Sequence, residues 1–456
     1  MKKALLYLSI LMLAPIFTSQ AQVNFEEFNS VESLLSKAKK EKKLIFVQVA
    51  SPNCNQCNDV AQKGLSQPAL KEKFEANFIA TFIKHEGEMY KKLVKETDLK
   101  EFPMGSLFYD SEGYLISKMS STSSSAMSYL NAADQAIKLS KNNVLKDLEG
   151  QYKKGERNKD LLRNLIFEKN KVGNDNHKLV EEYIDLHTIK ELSTLENADL
   201  LVQQGLDLES RGRKLLYALF PNKVVDSLFF NNSLEERIKI NNRVISSTRN
   251  IAMRTKNKNL AYQLSSFITK TYDNNWEKGN FHGQSFMLNF YKDIRDTTNF
   301  LQTAESFSNY SLMTMPVDTM KKKDSKERSA MFEQRRKNGS MSGMGTFSYS
   351  PFYQRYGSEL NNAAYGVFTM TNDLEKLAKA LKWSKRAMEI YEALSPDENH
   401  TQNPSFIDTY ACLLYRLGKK EEAIEWQTKA INLAKQYGDV TSNLEITLNK
   451  IKDGVL

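Results

Sequence analysis

The sequence predicts a mixed α/β domain in the first 140 residues, followed by an all-α region. Up to residue 140, short apolar runs alternate with amphipathic segments, as expected when strands alternate with helices. From residue 140 to 315, apolar residues recur at helical spacing and only Pro221 interrupts them. A third observation is a Cys-x-x-Cys motif directly after the run 44–50, and it marks where chemistry is expected.

The N-terminus has the pattern of a secretory signal peptide. Lys2 and Lys3 precede an apolar core at 4–17, and small residues lead to Ala21. We therefore expect cleavage after Ala21 and export, with the bacterial periplasm as the compartment. The alternative is an uncleaved N-terminal anchor. No later stretch has the roughly 18 apolar residues that a membrane span needs, so no stable span is expected in the mature chain.

The elements of the α/β domain, placed at residues 22–140, follow from local patterns. Seven nearly all apolar residues at 44–50 predict a central strand that is covered on both faces. The remaining expectations are a helix from Asn29 capped by Asn29 and Glu32, a helix from the Cys-x-x-Cys motif, a helix at 69–76 after Pro68, strands at 78–84, 106–109 and 114–119, and helices at 88–97 and 126–139.

The Cys54-Asn55-Gln56-Cys57 motif opens a predicted helix. Free backbone N–H groups and the positive end of the helix dipole favour a thiolate at that position, so Cys54 is the expected nucleophile. Cys57, one turn deeper on the same face, has the position of a resolving cysteine. The alternatives are a structural pair or half of a zinc site. Zinc needs four ligands, and neither Cys412 nor the five histidines show ligand spacing, so no metal and no cofactor are expected.

These residues carry a resemblance. The order of elements, the Cys-x-x-Cys after a buried strand, and the segment 102–113 (FPMGSLFYDSEG) resemble the thioredoxin fold of exported thiol-disulfide oxidoreductases, over about residues 25–140. The resemblance implies that Cys54 attacks, Cys57 resolves, and Pro103 is a cis-proline beside the active site. A trans Pro103 that simply ends a loop is the alternative, because most X-Pro bonds are trans.

The chain departs from the family pattern at three places. Asn53 replaces the aromatic residue before the first cysteine, and residues 55–56 are Asn-Gln instead of Gly-Pro. Gln48 stands where thioredoxins bury a carboxylate that helps to move the proton of the resolving cysteine. An amide cannot titrate, so His85, Glu86 or solvent would have to accept that proton. We therefore expect a slow or partner-specific enzyme.

The rest of the chain predicts helices with one interruption. Residues 141–315 have the periodicity of stacked helix pairs. Residues 316–360 are basic, contain Ser, Met and Gly, and lack periodicity, which predicts a long loop; a basic docking segment is the alternative. Residues 361–456 resemble tetratricopeptide-repeat helices, in which small residues let helices pack closely and Gly418 allows a turn. The alanines that carry this resemblance are Ala380 with Ala387 and Ala423 with Ala430. Cys412 is expected in the core of this region rather than as a redox partner.

Composition narrows the classes of function. The chain has 456 residues, of which 41% are hydrophobic, enough for more than one packed domain. Its net charge of +9 does not predict nucleic-acid binding, since residues 22–140 hold 15 basic and 15 acidic residues and no nucleic-acid signature accompanies the excess.

The sequence thus predicts an exported thioredoxin-like thiol-disulfide oxidoreductase. It would act through Cys54 and Cys57 on exported client proteins with cysteines, with an unknown redox donor or acceptor. The repeat helices would dock a partner protein or peptide. The alternative is a non-enzymatic protein-binding scaffold with a vestigial thioredoxin fold. The motif does not give the redox direction, which depends on the reduction potential.

Overall fold

A computed structural model describes residues 23–51, 55–85, 87–97, 102, 104–141, 144–172, 176–272, 275–337, 351–395 and 401–456. The chain divides into two compact units between Thr194 and Leu195. The first unit contains a sheet and nine described helices, and the described part of the second unit is helical. The first unit extends past the boundary predicted at residue 140, because four further helices belong to it.

The first unit is built on a five-stranded mixed sheet. Its strands are β1 (Phe25–Glu26), β2 (Leu44–Ala50), β3 (Phe78–Lys84), β4 (Gly105–Tyr109) and β5 (Leu115–Met119). Their order is β1-β3-β2-β4-β5; β1, β3 and β2 are parallel, and β4 and β5 are antiparallel to their neighbours. The strand β2 is central, and this explains its near-continuous apolar sequence.

Helices cover both faces of this sheet. The helices of the first unit are α1 (Val31–Glu41), α2 (Asn55–Leu65), α3 (Pro68–Asn77), α4 (Glu88–Thr97), α5 (Ala126–Ser140), α6 (Val144–Lys153), α7 (Lys159–Lys171), α8 (His177–Asp185) and α9 (Ile189–Leu192). Residues of α1 and α4 pack on the face that carries Val47 and Val49. Residues of α2, α3 and α5 pack on the opposite face, around Phe46 and Phe108. Alternation along the strand therefore puts Gln48 on the face that α2 covers.

The predicted mixed sheet and most of its element positions are confirmed. The strands at 44–50 and 78–84 and the helix at 88–97 have the predicted bounds. The start of α1 differs, because its N-cap is Ser30 and not Asn29. Ser30 has extended backbone angles, and its hydroxyl accepts a 3.1 Å hydrogen bond from the N–H of Ser33.

The second unit contains thirteen described α-helices. They are α10 (Leu195–Gln204), α11 (Arg211–Leu219), α12 (Asn222–Phe230), α13 (Leu234–Thr255), α14 (Lys258–Lys270), α15 (Trp276–Asp293), α16 (Thr297–Phe307), α17 (Val317–Lys337), α18 (Phe352–Met370), α19 (Leu374–Leu394), α20 (Pro404–Arg416), α21 (Lys420–Tyr437) and α22 (Ser442–Asp453). A short π-helical turn, Ser308–Leu312, follows α16. Among the described residues, the largest core cluster lies in this unit and draws on α13 to α20.

The loop predicted at residues 316–360 is wrong for its described residues, since α17 and the first part of α18 occupy them. The helix α17 is highly charged and lacks the apolar stripe that predicts a helix. Contacts made by its charged residues support it. Glu327 accepts from Arg355 of α18 at 2.9 Å, and Asp324 pairs with Arg328 one turn on at 3.0 Å. Residues 338–350 lie outside the described part of the chain.

The C-terminal helices pack in consecutive pairs, α18 with α19 and α20 with α21. The four alanines predicted at the helix contacts, Ala380, Ala387, Ala423 and Ala430, are all fully buried. Gly418, between α20 and α21, has a φ of +79°, a conformation that glycine adopts without strain. The C-terminal region is therefore helical, and its paired packing is compatible with the predicted repeat helices.

Within the described ranges, none of the helices combines the length and the apolar composition that crossing a bilayer requires.

Candidate functional site

The candidate site lies where β2 ends and α2 begins. The side chain of Asn58, in α2, ties these two elements together with two hydrogen bonds to Ser51. Its Oδ1 accepts from the N–H of Ser51 at 3.0 Å, and its Nδ2 donates to the carbonyl of Ser51 at 2.8 Å. These two hydrogen bonds connect the residues on either side of the first cysteine of the Cys-x-x-Cys motif. The end of the strand and the first turns of the helix are thus held in a defined relation.

Cys57 lies in the first turn of α2, half-buried, and it is disulfide-bonded. The chain has three cysteines, and Cys412 is a free thiol. The third, Cys54, lies outside the described residues. The first turn of a helix presents N–H groups that no carbonyl of the helix accepts, and these groups stabilise a sulfur anion released there. The position of Cys57 therefore suits a disulfide that opens to thiols.

Gln48 is fully buried in the centre of β2, on the face that α2 covers. Its Oε1 accepts a 2.7 Å hydrogen bond from the hydroxyl of Ser106 in β4, directly opposite in the sheet register. Its Nε2 contacts the carbonyl of Val49 at 3.3 Å. The amide thus has a neutral partner on one side and the backbone on the other. This pair stabilises the sheet, but neither side chain can carry a proton to or from a thiolate near neutral pH.

Tyr90 contacts two residues beside the site, Phe102 and His85. The hydroxyl of Tyr90, in α4, accepts a 3.0 Å hydrogen bond from the N–H of Phe102. The ring of Tyr90 also packs against His85, with ring centroids 4.6 Å apart. His85 itself follows β3, and its N–H donates to the carbonyl of Ala50 at the end of β2. One tyrosine therefore links the end of the central strand with the residue that precedes Pro103.

Gly105 begins β4 in a conformation that requires glycine. Its φ is +122°, and a Cβ at this position would lie 2.1 Å from the carbonyl oxygen of Met119 in β5 and 2.9 Å from the ring of Phe102. No side chain fits in that space. The close contact holds the start of β4 against β5.

Of the three predicted site residues, the structure describes only Cys57. Pro103 and Cys54 lie outside the described residues, as does Glu86, one of the proton acceptors considered for the thiol. Cys412 is confirmed as a core residue: it is 2% exposed, and burial raises the pKa of its thiol.

Three residues of the site were missed from sequence: Asn58, Tyr90 and Ser106. Each acts through a partner that lies at least 7 residues away along the chain. An asparagine in a helix, a tyrosine in an amphipathic helix and a serine in a strand are common in those elements, so the sequence carries no signal for these contacts.

The chain was compared with models of known protein families and with curated protein sequences, and neither comparison found a match.

Proposed function

We propose that this protein is a thiol-disulfide oxidoreductase of the thioredoxin-like type that uses Cys54 and Cys57 on the cysteines of exported client proteins. The observation that carries the proposal is the disulfide at Cys57, in the first turn of the helix that follows the central strand. The strand order supports it, because a central β2 with a parallel β3 and an antiparallel β4-β5 hairpin is compatible with a thioredoxin fold. Export rests on the signal pattern at residues 1–21.

The reaction consists of two exchange steps. In the reductive direction, the Cys54 thiolate attacks one sulfur of a client disulfide, and the other client sulfur leaves as a thiolate. The Cys57 thiolate then attacks the sulfur of Cys54 in the mixed disulfide, and the client leaves as a dithiol. Two electrons pass to the client, and the enzyme ends with the Cys54–Cys57 disulfide. The same steps in reverse oxidise a client.

The buried amide of Gln48 bears on the speed of the second step. Cys57 must lose its proton before it attacks, and Gln48 is bonded to the neutral hydroxyl of Ser106 instead of offering a carboxylate. Proton loss would then depend on His85 or on solvent. This favours slow turnover or a client whose binding compensates for it. The helical hairpins of the second unit, with their closely packed alanines, are the candidate docking region for such a client.

The same observation favours the second candidate function. A protein that has lost thiol chemistry would not need a titrating group at residue 48, and a neutral hydrogen-bonded pair suits a purely structural sheet. Under that alternative, the first unit presents a surface and the Cys57 disulfide is structural. The two candidates differ in whether clients become covalently attached to Cys54.

A trapping experiment distinguishes them. The variant Cys57→Ser lacks the thiolate that releases clients, so clients should accumulate on Cys54 as mixed disulfides, seen as adducts on non-reducing gels of a periplasmic extract. The matched control Cys54→Ser leaves Cys57 in place and should trap almost nothing. Adduct levels that are equal in the two variants would reject the oxidoreductase and favour the scaffold.

A further inference from the structure

The second unit contains a large cavity that the proposed thiol chemistry does not use. Helices α10 to α14 surround it, and its volume is about 550 Å³. That size lies within the range of small-molecule sites, which is about 300–1,000 Å³. Its walls are mainly apolar and aromatic, formed by Leu201, Val202, Leu206, Leu216, Tyr217, Val225, Phe229, Phe230, Leu234, Ile238, Ile240, Val244 and Phe267.

Hydrogen bonds and a close backbone contact hold the frame of this cavity. The guanidinium of Arg243, in α13, donates to the carbonyl of Gln203 at the end of α10 at 2.6 Å. The hydroxyl of Thr248 accepts from the N–H of Leu208 at 3.1 Å. Gly205 lies so close to α13 that a Cβ there would be 2.6 Å from the carbonyl oxygen of Ile240. The segment after α10 is therefore fixed against α13, and the cavity is a built feature.

Two arginines line the cavity, Arg213 and Arg237, and among the described residues neither donates to a backbone carbonyl as Arg243 does. Arg213 lies over the rings of Tyr217 and Phe267, with its guanidinium carbon 5.2 and 5.4 Å from their centroids. Arg237 lies over the ring of Phe230 at 5.2 Å, and its buried Nε has no hydrogen-bond partner in the described structure. Within the described ranges, neither guanidinium forms an ion pair with a carboxylate.

The balance of charge on the cavity wall is positive. The lining includes Arg213, Arg237, Lys270 and one carboxylate, that of Asp226, which gives a net charge of +2. The buried carboxylate of Asp207, which is not part of the lining, also interacts with the charge of Arg213. Stacking on aromatic rings uses the faces of the two guanidinium groups and leaves their N–H edges available to an anion. Burial also lowers the pKa of Arg213, a sign that water does not fully solvate its charge. A bound anion would compensate for that lost hydration.

We propose that this cavity binds an amphipathic monocarboxylate, with the carboxylate at Arg213 and Arg237 and an apolar body against the aromatic and aliphatic wall. Arginine edges match a carboxylate in two-point geometry, and the apolar wall excludes small, fully hydrated anions. Tyr217 and Phe230 are 42% and 53% exposed, so they form an apolar rim where such a ligand enters. The proposal is independent of the thiol chemistry, since it uses no residue of the first unit.

Calorimetric titration of the purified full-length chain tests the proposal with three probes of nearly the same shape. They are 1-naphthaleneacetate, its neutral amide, and the cationic 2-(1-naphthyl)ethylamine. We expect the carboxylate to bind at least about tenfold more tightly than the amide, and the amine to bind most weakly, because a hydrogen-bonded ion pair is stronger than a neutral hydrogen bond. Decanoate is a fourth probe and shows whether an aliphatic body also fits.

Substitutions test separately the arginines that would bind the carboxylate and the apolar wall that would bind the body of the ligand. Arg213→Gln and Arg237→Gln should each weaken binding of the carboxylate about tenfold and leave binding of the amide unchanged. Phe230→Ala should weaken both probes, since it removes apolar contact. Arg249→Gln is the matched control. Arg249 is an exposed arginine on α13, the helix that carries Arg237, but it lies outside the cavity, so its loss should change neither affinity. Circular dichroism of each variant verifies that it is folded.

The outcomes decide the proposal. Preference for the carboxylate that is lost in the two arginine variants and kept in Arg249→Gln supports it, with either the naphthyl or the aliphatic body. Equal affinity for carboxylate and amide, tighter binding of the amine, or no heat of binding with either carboxylate at 1 mM overturns it. Binding limited to an uncharged peptide such as N-acetyl-Phe-Leu amide, with both small carboxylates inactive, would also overturn it in favour of a peptide site.

Discussion

The surroundings of Cys57 and Cys412 show how two regions of one chain treat the same side chain. Cys57 lies in the first turn of α2, beside the end of a strand, half-buried and disulfide-bonded. Cys412 lies in the middle of α20, where Phe406 and Leu413 belong to the same core cluster, and it is a buried free thiol. Burial is the main reason that its pKa is raised, and the charge of Asp408 adds to it.

The difference teaches that the position on a helix, and not the residue type, decides the use of a cysteine. The first turn of a helix offers unpaired N–H groups to a thiolate, while the middle of a packed helix offers none. The sheet region therefore has a half-buried, disulfide-bonded cysteine at a junction between two elements. The helical region instead uses its cysteine as a small apolar residue that fills space between paired helices.

Alkylation kinetics test this comparison with the largest expected effect. After reduction of the folded protein, iodoacetamide should label Cys57 at least about 1,000-fold faster than Cys412, because Cys412 is buried and its raised pKa removes the reactive thiolate. Mass spectrometry of the labelled peptides over time gives both rates. In denaturant the two rates should converge. Labelling of Cys412 in the folded state at its denatured rate would contradict the comparison.

A glycine-to-alanine substitution in each region compares how strongly the backbone there requires glycine. Gly105 begins β4, where a Cβ would collide with the Met119 carbonyl, so Gly105→Ala should lower the free energy of unfolding by about 3 kcal/mol. Gly418, between α20 and α21, also has a positive φ but has open space around it. Gly418→Ala should therefore cost only about 1 kcal/mol, the strain of the conformation alone.

The tryptophans let the two effects be measured separately. All three, Trp276, Trp383 and Trp426, belong to the second unit, so fluorescence during urea denaturation reports on that unit. Gly418→Ala should shift the fluorescence transition, while Gly105→Ala should leave it in place and accelerate hydrogen exchange in β4 and β5. A larger cost at Gly418 than at Gly105 would show that the close contact in the sheet region is not what requires glycine there.

The smallest expected effect concerns the buried amide of the sheet region. Gln48→Glu would place a carboxyl on the face that α2 covers, and as a proton acceptor it should accelerate resolution of a mixed disulfide by Cys57 about tenfold. Stopped-flow measurement of client release from Cys54 gives the rate. Gln48→Leu is the matched control, since it removes the amide without adding a titrating group and should not accelerate release. No acceleration in Gln48→Glu would mean that proton transfer to residue 48 does not limit the reaction.

Local patterns predicted much of the first unit because its elements have strong signals. The central strand is uniformly apolar, Pro68 is suited to the first turn of a helix, and glycine and aspartate mark the turn before β5. The two-residue strand β1 was not predicted, since a segment that short has no periodicity. The cap of α1 was placed one residue early because Asn29 and Ser30 are both good N-caps, and only the backbone angles distinguish them.

In the second unit, the pattern of small residues predicted helix contacts, but the pattern of charge did not predict where a helix lies. The buried alanines of α19 and α21 were predicted because each pair is spaced seven residues apart. The helix α17 was missed, because a helix with little apolar periodicity depends on partners elsewhere in the chain. Its Glu327 meets Arg355, which lies 28 residues away. Such ion pairs form only after both helices have been placed.

The sequence by itself determined where most strands and helices of the first unit occur, which cysteine pair could be reactive, and which alanines lie at helix contacts. Each of these depends on residues within a few positions of one another, so the periods of the helix and the strand predict them from the sequence. Only the tertiary structure decided that Asn58 clamps the strand end, that Gln48 pairs with Ser106, and that Arg213 and Arg237 line one cavity. Those contacts depend on how separate elements pack in space, which local periodicity does not encode.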